Sequence, residues 1–105
     1  MLLSLTVLGA TLMAASAADV KENWEKTCVK CHGTDGKGDT KMGQKLGIKD
    51  LTDAKVQGEF KDDQAFKSIK EGIKDKEGKI KMKPAENLTD DDIKALVAHV
   101  RTLKK

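Results

Sequence analysis

Cys28-Val29-Lys30-Cys31-His32 is the stretch on which the reading of this 105-residue chain turns. It holds the only two cysteines, and a histidine directly follows the second. Two thiols at this spacing can each add across one vinyl group of a single haem. The adjoining imidazole is then held beneath the iron. C-x-x-C-H is the spacing of c-type haem attachment. Cys28, Cys31 and His32 are therefore the first candidates for a cofactor site, with His32 as an iron ligand.

Other chemistries use paired cysteines. A disulfide closing so short a loop restrains little of the unfolded chain. A thioredoxin-like redox pair belongs beside a βαβ pattern, and no strand-rich stretch is legible here. A structural zinc takes four ligands. Beyond the motif only His99 remains, so that set is one short unless a carboxylate serves.

The sequence ahead of the motif is of a different kind. Leu2 to Met13 is apolar or small and uncharged, Ala15-Ser16-Ala17 is a small-x-small pattern, and Asp19 opens a heavily charged sequence. This reads as a secretory signal peptide over 1–18 and a single domain over 19–105. It departs from the usual pattern in having no Lys or Arg before the apolar run. The run is short for a bilayer span, so no permanent membrane anchor is expected.

Removing the signal leaves about 87 residues, a small core to build. Aromatics are sparse: Trp24, Phe60 and Phe66, with no tyrosine. A domain of this size usually needs a disulfide, a metal or a cofactor to hold it together, and a covalently bound haem would serve. Twenty Lys and Arg against 17 Asp and Glu, a net charge of +3, is only mildly basic. Without interleaved aromatics that balance gives no expectation of nucleic-acid binding.

Along the domain, Val20, Trp24 and Cys28 share one helical face from Asp19 to about Lys30, with Asp19 as N-cap and Glu22 completing a capping box. Residues 33–47, with five glycines, read as loop. The loop lacks the Gly-Lys-Ser/Thr ending of a phosphate cradle. A short helix is expected from Thr52 and a clearer one from about Asp62 to Glu71, ended by Gly72. Residues 74–84 read as extended and irregular. The last helix starts at Thr89, with Asp90, Asp91 and Asp92 in its first turn and a stripe of Ile93, Leu96, Val97, Val100 and Leu103.

Taken together, these elements resemble a small bacterial class I cytochrome c. That family has an N-terminal helix before C-x-x-C-H, a glycine-rich loop, short middle helices, a loop with an axial methionine and a packed C-terminal helix. Lys81-Met82-Lys83-Pro84 followed by Asn87-Leu88-Thr89 is similar to the methionine loop, and Ile93 to Val100 to the C-terminal helix. The resemblance implies an all-α fold whose terminal helices cross around one covalent haem c. It implies Cys28, Cys31, His32 and Met82 as the cofactor-binding residues, with His32 and Met82 on the iron. Met42, closer to the motif, is the competing methionine. The resemblance also places Trp24 against the last helix near Leu96 and His99, which makes His99 a packing residue. No proline follows the motif before Pro84. Another backbone carbonyl, near Lys41 to Gly43, is expected to accept from the His32 ring.

Imidazole on one side of an iron and thioether on the other make a closed site suited to electron transfer. The expectation is a monomeric periplasmic electron carrier, not an enzyme, that meets redox protein partners through an exposed haem edge. Lys30, Lys79, Lys81 and Lys83 would face acidic docking surfaces on those partners. The alternative is a haem protein with an open or weakly held sixth position, binding gases or serving as an electron-entry subunit. A small thiol-redox or metal-binding protein is the reading outside haem chemistry.

Overall fold

The computed structural model describes residues 17–105. The expected signal peptide, 1–18, lies outside the described residues apart from its last two positions. Among the described residues no helix is long and apolar enough to cross a membrane.

Helix α1 spans Ala17–Thr27. It starts two residues earlier than expected, so Asp19 sits within the first turn instead of capping it. A carboxylate there still meets the positive end of the helix dipole. Trp24 and Cys28, four residues apart, are both buried on one face. The helix does not run through the motif. Cys28 is a turn residue, and Val29–His32 forms a separate short helix, α2. The amides of Cys31 and His32 both donate to the Cys28 carbonyl, at 3.2 and 2.9 Å, which winds the motif into one tight turn.

The stretch read as loop contains a helix, α3, at Lys41–Leu46. Its ends carry ordinary signals: the Thr40 hydroxyl accepts from the Gly43 amide at 2.9 Å, and Gly47 closes it with a φ of 67°. Helix α4, Ala54–Gln57, begins after Asp53, whose carboxylate accepts from the Lys55 amide at 2.9 Å. Helix α5, Asp62–Glu71, lies where expected, with Gly72 directly after it.

Beyond Gly72 the chain is extended, as expected, but not irregular. Strands β1, Ile73–Lys74, and β2, Ile80–Met82, pair antiparallel. The turn explains the pairing. Asp75 Oδ1 accepts from the amides of Glu77 and Lys79, both at 2.9 Å, and Gly78 takes a φ of 82°.

Helix α6, Asp90–Thr102, is capped reciprocally. Thr89 Oγ1 accepts from the Asp92 amide at 3.1 Å, and the Asp92 carboxylate accepts from the Thr89 amide at 3.0 Å. Ile93, Leu96, Val97 and Val100 are buried, and α6 packs against both α1 and α5. With Trp24, Cys28 and Ile69 these four side chains form one core cluster. The chain thus adopts the expected all-α fold with crossing terminal helices, to which it adds a two-stranded hairpin.

Candidate functional site

Three cavities of about 230, 290 and 340 Å³ open around the core, and His32 and Met82 line all three. They are the parts of one crevice between the motif and the hairpin. Trp24, Leu51, Phe60, Ile69, Leu96 and Val100 line the first of them. Ile73 and Ile80, the exposed large hydrophobics at 41% and 53% accessibility, also border the crevice. Apolar side chains left facing an apolar crevice are what a large apolar ligand would cover.

The motif forms one wall. Cys28 and Cys31 are free thiols, the first buried and the second half-buried. Burial, and then the neighbouring Cys31, pushes the Cys28 thiol up to about 12. A thiol protonated at neutral pH is a poor nucleophile. Burial also pulls the His32 imidazole below its ordinary range and keeps it neutral, the form that ligates metals.

Residues 41–43 do not supply the expected acceptor for the His32 ring, whose Nδ1 is buried without a hydrogen-bond partner. Instead residues 40–43 brace the motif from outside. The Thr40 hydroxyl donates to the Cys31 carbonyl at 2.9 Å. Gly43 passes so close that a Cβ there would strike the carbonyl oxygens of Cys31 and Gly38.

Trp24 sits behind the histidine, its ring centroid 6.0 Å from that of His32 and 5.0 Å from that of His99. Its indole N–H donates to the Thr34 carbonyl at 3.1 Å. His99 therefore stacks at the helix crossing, as expected, with its Nε2 buried and unpartnered. Across the crevice, Met82 is half-buried on β2. Met42 borders only the 290 Å³ cavity, together with Cys31 and Leu46. Lys30, Lys81 and Lys83 lie at the same cavity, and Lys79 is exposed in the adjoining turn.

Paired thiols, a neutral imidazole and a thioether around an apolar slot suit a covalently attached iron macrocycle. Among the described residues no group of three or more His, Cys, Asp or Glu is placed to hold a metal ion.

Sequence reasoning missed one part of the wall. Gln57 is buried, and with Arg101 it bonds to the backbone of residues that line the crevice. The only trace in sequence is an arginine on the apolar side of the last helix, which is indistinguishable from a solvated charge.

The cytochrome c family model matches residues 17–104. Among solved structures, the chain is similar to the KustC0563 c-type cytochrome, at 36% identity and a TM-score of 0.69 over 81% of this chain and 96% of that one. A tyrosine-to-phenylalanine mutant of that protein also matches, at 36% identity and a TM-score of 0.67 over 82% and 99%. A search of curated proteins finds no match.

Proposed function

The chain belongs to the cytochrome c family and is a c-type electron-carrier domain rather than an enzyme, and from that premise we propose that it is a periplasmic carrier with one covalent haem. The observation that carries this reading is the crevice that His32 and Met82 share in all three of its parts. In it, Cys28 and Cys31 would hold the haem through thioether bonds, and the His32 imidazole and the Met82 sulfur would hold its iron. Bound there, the haem supplies a one-electron iron couple.

The chain's own residues shape that couple. His32 is kept neutral by burial, so its ring is available to the iron without losing a proton. Met82 contributes a soft sulfur, which favours Fe(II) and raises the potential above that of a bis-imidazole site. The apolar lining would exclude water from the bound group. Around the mouth, Lys30, Lys79, Lys81 and Lys83 form a positive rim, which draws in redox proteins with acidic surfaces and speeds their encounter. Export through a cleaved leader over 1–18 delivers the chain to the periplasm, where it works as a monomer.

Two measurements test the proposal. The purified protein should exceed its polypeptide mass by one haem and keep that haem through acidic acetone extraction. Haem lost on extraction would overturn covalent attachment. Ferric protein should show the weak near-infrared charge-transfer band of thioether ligation. Met82→Ala should abolish the band and let the reduced protein bind carbon monoxide, while Met42→Ala should keep it. A wild-type protein that already binds carbon monoxide readily has an open sixth position, and the gas-binding alternative then replaces electron carriage.

A further inference from the structure

One wall of the crevice rests on a polar cluster at the junction of α4, α5 and α6. Arg101 Nη1 donates to the Gln57 carbonyl at 2.6 Å and to Gln57 Oε1 at 2.9 Å. Its Nη2 donates to the Phe60 carbonyl at 2.8 Å, and Nε to Asp62 Oδ1 at 2.7 Å. The guanidinium also lies over the Phe60 ring, 4.4 Å from its centroid. Gln57 is 5% exposed, and its Nε2 donates to the carbonyls of Leu51 at 2.6 Å and Val100 at 2.9 Å. Leu51, Phe60 and Val100 all line the 230 Å³ cavity, and the first two also line the 340 Å³ cavity.

We propose that Arg101, acting through Gln57, is a positioning residue that holds the Leu51–Phe60 wall of the crevice and so controls how closely water approaches the haem. The inference rests on the haem reading given above. A planar guanidinium serves several acceptors at fixed angles, which an ammonium group cannot do. The Gln57 amide is equally specific, because it accepts from Arg101 while donating to two carbonyls. Losing either group leaves buried carbonyls without donors, and water entering to satisfy them would come beside Leu51 and Phe60. Water near the haem favours the more highly charged ferric state, so the potential falls. A purely structural role would lower the melting temperature while leaving the potential of the folded protein unchanged.

The test uses the haem-loaded protein and four variants, R101K, Q57E, D62N and R101Q. R101K keeps the charge and loses the fork. Q57E keeps an acceptor for Arg101 and loses the donor to Leu51 and Val100. D62N removes the charge of the outermost partner, whose side chain is 71% exposed, and keeps an oxygen to accept from Arg101. R101K and Q57E should each lower the equilibrium constant for reduction about tenfold, which is about 59 mV for one electron. Amide hydrogen exchange over residues 51–60 should quicken in both. D62N should leave both readouts unchanged. Wild-type potential and exchange in R101K and Q57E would overturn the positioning role. So would a potential that R101K preserves and R101Q lowers, because charge alone would then account for the effect. A protein isolated without haem overturns the reading underneath, and the inference falls with it.

Discussion

Gly43 shows how a single residue sets the geometry of the motif. The chain passes the Cys31 carbonyl with no room for a side chain, and α3 continues from there. Gly43→Ala should therefore displace residues 40–43 from the motif. The expected outcome is a yield of haem-loaded protein at least severalfold below wild type, read from haem absorbance per mole of polypeptide. Gly47→Ala is the comparison, because a Cβ there would meet nothing within 4 Å although its φ is 67°. Its cost should be backbone strain alone, on the order of 1 kcal/mol. His99 carries a different prediction. Burial lowers its folded-state pKa, so the unfolded chain binds the proton more readily. Its contribution to stability is complete above the unfolded pKa of about 6.5 and is lost as pH falls below that value. Asp50, which the Thr52 hydroxyl and amide hold below its usual range, titrates at lower pH and does not enter that window. Denaturation midpoints of the haem-loaded protein should drop between pH 7.5 and 5.5, and His99→Phe should flatten the drop. An equal drop in the variant would assign it to another group.

At the scale of elements, some helix ends were legible and others were not. Thr89 as N-cap of α6 and Gly72 after α5 could be named from sequence, because each end condition is local chemistry. Thr89→Ala removes one half of the reciprocal cap and should cost about 1 kcal/mol by chemical denaturation. Leu96, 1% exposed at the crossing of the terminal helices, should cost about 3 kcal/mol as Leu96→Ala. A smaller loss for Leu96 than for Thr89 would mean that the crossing is not the main support of the fold. Helix α3 escaped the sequence reading because Gly43 and Gly47 read as loop punctuation. In the structure, one permits close packing and the other is a C-cap. The hairpin escaped because its strands have two and three residues, too short for a period to show. Its specification sits in the turn, where Asp75 supplies the side-chain acceptor and Gly78 the positive-φ backbone.

At the scale of the whole molecule, the core and the crevice are the same object. Trp24, Cys28, Ile69, Leu96 and Val100 belong to the buried cluster and also line the 230 Å³ cavity. An unfilled apolar cavity of that volume costs on the order of 5 kcal/mol at about 24 cal/mol per Å³. That is comparable with the entire stability of a small domain. The crevice is open to solvent, so this is an upper bound. Even so, the chain without its cofactor should lack a cooperative fold. The double variant Cys28→Ser with Cys31→Ser should show a broad, low-amplitude thermal change by circular dichroism. A sharp transition in that variant would mean that the polypeptide core suffices.

By itself, the sequence carried the haem-attachment motif and the apolar faces of the first and last helices, while the all-α class and the crossing of those helices were implied by the resemblance to class I cytochromes c. The motif and the faces are carried by local spacing: C-x-x-C-H in the one, and 3.6-residue stripes in α1 and α6 in the other. Only the tertiary structure decided that His32 and Met82 border every part of one crevice. It also showed that the His32 ring lacks the carbonyl expected from residues 41–43, and that Arg101 and Gln57 brace the wall at Phe60. These relations join residues far apart along the chain. Their energies come from burial and from hydrogen-bond angles, which no periodicity in the sequence records, because such geometry exists only once the helices have packed.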